Sequence, residues 1–245
     1  FLPSCISVAA DSVFQPGSLA IDFDQIVKAV AQAPSVVTVH ITQNRFGGTL
    51  SSEIGQARTV QLLNLNLNEL TGRIPESIGN MTALRHLYLQ KNNLIGPIPM
   101  SFAKLTDLDL LHLGDNELSG SIPDNIGMLA ELRSLVLHEN ELTGSIPASL
   151  AKLTKLEWLE LQSNKLSGTI PSNIGEMVNL QHLALANNNL SGSIPPSITN
   201  LIKLNYFSVH GNSGLTGVFP PRVGRLCWNN NANLPLWSTI FCSSL

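Results

Sequence analysis

The chain has 245 residues, of which 43% are hydrophobic, 13% charged and 5% aromatic, and its formal net charge at pH 7 is -3. That apolar content supports a large core and excludes a disordered chain, while mild acidity without any long Lys/Arg run excludes nucleic acid and anionic membrane as the main partner, because both require a dense cationic footprint. With so few aromatic residues, Leu and Ile must carry the packing.

The chain begins at Phe1 with neither a Met nor a basic leader, and no apolar stretch reaches the roughly 20 residues of a membrane helix, so it reads as a mature or truncated ectodomain. Residues 1–35 form an extension ending in a capping helix. Within it, Phe23, Ile26, Val27 and Val30 recur at helical spacing over 22–33, Asp22 and Asp24 stand in the first turn, and Pro34 follows the end. Such a helix covers the open end of whatever follows. Cys5 is the odd cysteine of three, unpaired or bonded outside this chain.

From Val36 to residue 226 the chain repeats itself. Eight units begin at Val36, Val60, Leu84, Leu108, Leu132, Leu156, Leu180 and Leu204, and each follows L-x-x-L-x-L-x-x-N-x-L-x-G-x-I-P. The Asn column, Asn44 through Asn212, is unbroken. L-x-L has the period of a strand, so Leu87 and Leu89 point inward while their neighbours point out. The Asn ends the strand, where its amide can satisfy backbone groups left unpaired by the turning chain, and the column makes a buried ladder. The Gly column permits a backbone angle other residues avoid, and Ile-Pro buries one apolar side chain and extends the path.

The segment Leu118-Ser119-Gly120-Ser121-Ile122-Pro123 and its seven counterparts resemble the plant-type leucine-rich-repeat family, which includes receptor-kinase ectodomains and secreted inhibitors of microbial polygalacturonases. The resemblance implies an α/β solenoid, a right-handed superhelix with a parallel sheet on its concave face and short 3-10 or irregular convex segments. It also implies a secreted or cell-surface recognition protein, with a protein or peptide ligand and a membrane-anchored co-receptor among its partners.

The outward columns of the strands define the concave face. One column contains His86, Leu110, Ser134, Trp158, His182 and Tyr206, the next contains Tyr88, His112, Val136 and Glu160, and the third contains His138 and His210. All six histidines, His40 included, fall on this face. The candidate partner-binding residues are therefore His86, Tyr88, Leu110, His112, His138, Trp158, Glu160, His182, Tyr206 and His210, with Trp158, His182 and Tyr206 forming a stacked row. Leu62, Leu67 and Leu110 should add exposed apolar surface. Arg85, Asp109, Arg133 and Glu157 alternate in sign in successive units and read as a charge ladder.

No two histidines share a column in adjacent units, so no metal site is expected, and nothing calls for a cofactor. An open sheet lacking G-x-S-x-G, H-E-x-x-H or a phosphate loop argues against an enzyme. Hydroxyls at Thr71, Ser119, Thr143, Ser167, Ser191 and Thr216 give an alternative function, ice binding, which local turn chemistry also explains. The sequons Asn80-Met81-Thr82 and Asn189-Leu190-Ser191 are candidate glycosylation sites on a secretory route. Beyond the array, residues 227–245 form a C-terminal cap in which Cys227 and Cys242 are either bonded or two free thiols; the bond would contribute about 3 kcal/mol.

Overall fold

The computed structural model describes residues 23–217 and the backbone of residues 5–8. Asp22, the pair Cys227 and Cys242, and the cap over 227–245 lie outside the described residues.

Each unit makes one coil. Its L-x-L becomes a short strand, and the eight strands Thr38–Ile41, Leu62–Asn64, His86–Tyr88, Leu110–His112, Ser134–Val136, Trp158–Glu160, His182–Ala184 and Tyr206–Ser208 pair in parallel in chain order. The register is strict: Ser134 lies between Leu110 and Trp158, and His182 between Trp158 and Tyr206. A ninth strand, Cys5–Val8, was not anticipated; it pairs with Thr38–Ile41, placing Ile6 beside Val39. It extends the sheet beyond the first coil and occupies a backbone edge that would otherwise be open to another chain. Four residues carry too little periodicity to be separated from a loop by pattern alone.

Between the sheet and the convex side runs one continuous core in which the inward leucines, such as Leu87, Leu111, Leu135 and Leu159, are fully buried. The helix Phe23–Gln32 closes its first end by burying Phe23, Val27 and Val30, and the Phe23 ring lies 6.3 Å from that of Phe46. Burying each such side chain contributes about 1.5–3 kcal/mol.

The Asn column forms the expected ladder. Asn140 Nδ2 donates to Leu113 O and Leu137 O, both at 3.1 Å, and its Oδ1 accepts from Leu118 N at 2.9 Å, so one amide ties its own turn to the coil before it. Asn116, Asn164 and Asn188 repeat the pattern, and the seven from Asn68 to Asn212 are buried. Asn44, at the first coil, is only half-buried.

After each ladder Asn the chain passes along a flank as a second strand, and in the first seven coils it then turns through a 3-10 helix on the convex side. The flank strands form a five-stranded and a three-stranded sheet in which partners stand 22 residues apart, Ser119 opposite Glu141 and Ser167 opposite Asn189, except in the last pair, where Ser191 lies opposite Gly214, 23 residues on. Gly120 has φ +77°, the conformation that favours Gly there. In the 3-10 helix Asp124–Met128, Gly127 serves a different need: a Cβ would stand 2.4 Å from Ser149 O of the next coil.

Candidate functional site

The concave face carries a row of rings. In-register pairing sets Trp158, His182 and Tyr206 side by side, and their rings stack at 4.0 and 4.1 Å with interplanar angles of 4°. Trp158 remains 42% exposed, which is unusual for so large an apolar side chain, and among the described residues only one face of its indole has a ring stacked on it.

Beside the stack lies a polar cluster built from four consecutive coils. Glu160 Oε1 accepts from Trp158 Nε1 at 2.6 Å and faces His182 Nε2 at 3.3 Å; Glu160 Oε2 faces His138 Nδ1 at 2.9 Å and Gln162 Nε2 at 3.4 Å. The other nitrogen of His138 meets Asp115 Oδ2 at 3.2 Å. His138 is thus clamped between two carboxylates. Gly114 makes room for it, since a Cβ there would come within 2.8 Å of the imidazole. Asp115 has φ +53° and directly precedes the ladder residue Asn116, so the turn chemistry of the ladder also aims this carboxylate.

These contacts set the charges. Burial acts against ionised Glu160, but hydrogen bonds from His138, Trp158 and Gln162 outweigh it and hold its pKa at about 2. The bond to Glu160 raises the pKa of His138 against the opposing effect of burial. Burial lowers that of His182, which Glu160 only partly offsets, and lowers that of His112 as well. His112 is fixed by Ser134 Oγ at 2.8 Å from its Nε2 and meets Tyr88 edge-on at 5.0 Å.

His112, His138, Trp158 and Glu160 surround an open concavity of about 670 Å³ whose lining also includes Ser134, Val136, Asp115 and Lys91. His182 and Tyr206 extend it through the stack, and Tyr88, with His86 at a ring distance of 6.5 Å, adjoins its other side. Leu110 is half-buried in the column next to Ser134. His40 and His210 stand apart, near the two ends of the sheet, and His210 makes no ring contact among the described residues. Leu67 is exposed as expected, but Leu62 and Leu110 are half-buried: neighbouring side chains in the columns cover part of each. Sequence reasoning placed Ser134, Val136 and Gly114 in the outward columns but left them out of the binding candidates because they are small; the signal was a small residue interrupting columns of large ones.

Arg133 bridges Asp109 at 3.4 Å and Glu157 at 2.8 Å, and Asp109 also faces His86 at 3.6 Å. This is the expected charge ladder over three of its four members, since Arg85 makes no ion pair among the described residues, and such pairs contribute only about 0.2–1 kcal/mol each. Asn80 and Asn189 of the two sequons are both exposed. Among the described residues no group of three or more His, Cys, Asp or Glu is arranged to hold a metal ion, and no helix is long and apolar enough to cross a membrane.

Models of the leucine-rich repeat match residues 108–166 and, as single repeats, 59–81, 83–105 and 179–201, together just over half of the chain. No curated protein sequence matches significantly. Among solved structures, the plant peptide hormone receptor RGFR1, in complex with RGF2, is 34% identical with a TM-score of 0.78, over 80% of this chain and 31% of that one. The Arabidopsis receptor kinase HAESA, in complex with the peptide hormone IDA and the co-receptor SERK1, is 34% identical with a TM-score of 0.65, over 79% of this chain and 36% of that one. A plant ice-binding protein is 29% identical with a TM-score of 0.60, over 78% of this chain and 69% of that one. The chain therefore spans about a third of the length of the two receptor chains.

Proposed function

Because the chain belongs to the leucine-rich-repeat family, in its plant-type form, we propose that it is an extracellular, non-enzymatic recognition module that binds a peptide or protein partner on its concave face. The observation that carries this reading is the exposed Trp158–His182–Tyr206 stack set against the Glu160–His138–Asp115 cluster. Large aromatics beside fixed charges are the usual anchors of an interface. Solenoids offer the inner sheet as their extended binding surface, and the receptors similar to this chain are seen with peptide hormones and, for HAESA, a co-receptor. A membrane-anchored co-receptor is the second partner we propose.

The test is capture from extracellular fluid with the native chain and with a Trp158→Ala, Tyr206→Ala variant of unchanged thermal stability. A ligand held by the native chain and lost from the variant supports the reading. A ligand held equally by both places recognition elsewhere and refutes it.

Ice binding is the second reading, favoured by the similarity to the plant ice-binding protein. On the flank Thr71, Thr143, Ser167 and Thr216 are exposed, but the 22-residue register sets Ser119 against Glu141, so the hydroxyls do not form one flat row. Thermal hysteresis of the pure protein, lost on Thr143→Leu and Ser167→Leu substitution, would favour it over concave recognition.

A further inference from the structure

His138 has a carboxylate on each ring nitrogen, and the two come from different coils. Nε2 is 3.2 Å from Asp115 Oδ2 of the coil before, and Nδ1 is 2.9 Å from Glu160 Oε2 of the coil after. Only the imidazolium carries a proton on both nitrogens; the neutral ring has one N–H and one lone pair. The ring therefore serves both carboxylates when charged and one when neutral, with its lone pair then turned on the other. Loss of the proton forces a choice between Glu160 and Asp115.

The surroundings decide that choice. The Glu160 side chain is 16% exposed and stays fixed by the Trp158 indole N–H at 2.6 Å and by Gln162 at 3.4 Å. Leaving an ionised carboxylate short of donors is costly where water is scarce, so the remaining N–H belongs on Nδ1, facing Glu160. Asp115 is 30% exposed, and among the described residues its carboxylate meets His138 alone. It can turn to solvent at little cost. The other charged or titratable groups around the imidazole are His112 of the coil before, Glu139 next in the chain, and Lys91, which lines the same concavity and holds the turn position of Asp115 one coil earlier. Lys91 is the cation of the chain itself that competes for a freed Asp115.

We propose that Glu160, His138 and Asp115 form a proton switch in the recognition face: loss of the His138 proton leaves Glu160 and the Trp158 indole in place and frees Asp115 to meet a basic group of the partner. The switch rests on the concave-face reading and adds its regulation. The sign follows from the charges. Below the His138 midpoint the imidazolium offsets one carboxylate; above it the face carries one more negative charge, on a side chain that water reaches. A basic segment thus binds more tightly as pH rises through that midpoint, and its binding drives the proton off. The contact with Glu160 places the midpoint above the ordinary value, whereas burial places those of His112 and His182 below it, so the switch operates where those two rings are already neutral.

The test uses the whole chain in two arms. Without ligand, NMR above the midpoint should show the Nδ1–H tautomer of His138, and the Asp115 carboxyl carbon should titrate with the His138 ring. An Nε2–H tautomer, or an Asp115 carbon that ignores the His138 midpoint, overturns the switch. In the second arm the probe is capped tetralysine at low salt, whose own charge is constant over the range because lysine titrates near 10.4. The native chain should bind it about three-fold more tightly at about pH 8.5 than at about pH 5.5, the effect of one unit charge about 7 Å away in water. Asp115→Asn and His138→Gln should each remove that gain. Asparagine suits the left-handed backbone at 115, as Asn187 shows at the matching position of a later coil, and glutamine already stands in the column of His138 as Gln162. A gain that is absent from the native chain, or that survives in both variants, also overturns the switch. The two readings fail separately: a natural partner lost from the Trp158→Ala, Tyr206→Ala variant but held equally at both pH values by the native chain leaves concave recognition standing without the switch.

Discussion

His138 is held 2.9 Å from Glu160 and 3.2 Å from Asp115, whereas His112 and His182 are half-buried, the one bonded to neutral Ser134 and the other 3.3 Å from Glu160. Three imidazoles on one face thus titrate in opposite directions from the ordinary value of about 6.5. An NMR pH titration should find the His138 midpoint above that value and those of His112 and His182 below it. Replacing Glu160 with Gln should bring His138 down, because the bond to Glu160 is the largest cause of its rise; a His138 midpoint unmoved by that change would contradict the assignment. The stability linkage has two signs. The raised pKa of His138 makes its contribution complete below about 6.5 and lost as pH rises through its folded value. The depressed pKa of Glu160 makes its contribution present above the ordinary carboxylate range and lost only as pH falls toward about 2. Sequence columns placed all these histidines on one face, but not which of them would be charged. That depends on Gly114 leaving space for an imidazole and on the left-handed turn at Asp115, details of fit that a register cannot express.

Among the elements, the turn after each strand is the part most constrained by chemistry. Asn140→Ala would leave Leu118 N and the carbonyls of Leu113 and Leu137 without their amide partner in a buried turn, which should cost about 2–4 kcal/mol and lower the urea midpoint accordingly. Gly127→Ala forces a methyl to 2.4 Å from Ser149 O and should cost about 1–3 kcal/mol by pushing two coils apart. If both variants unfold at the native midpoint, the ladder and the close convex approach are not what join the coils. Strand, ladder and Gly positions were all legible because each is a single residue type forced by a local need and repeated. The register of the flank sheets was not legible: the offset, 22 residues between most partners, arises from how successive coils stagger, not from any one residue type. Cys5–Val8 was illegible because its pairing partner, not its own pattern, makes it a strand.

For the whole molecule, each coil touches chiefly its neighbours, so the fold is a line of similar units and function must lie where that similarity is broken. The breaks are local and lie on one face: Ser134 between Leu110 and Trp158, the ring stack of three consecutive coils, and the clamped His138. The convex side, by contrast, exposes Met100 and Met128 on its 3-10 segments, 64% and 60% accessible. That contrast supplies an internal control for hydroxyl-radical footprinting of the native chain, free and with its captured partner, because Trp, Tyr and Met all oxidise readily. Concave recognition predicts that Trp158 and Tyr206 are protected in the complex while Met100 and Met128 oxidise as in the free chain; protection of the two methionines with Trp158 unchanged would contradict it.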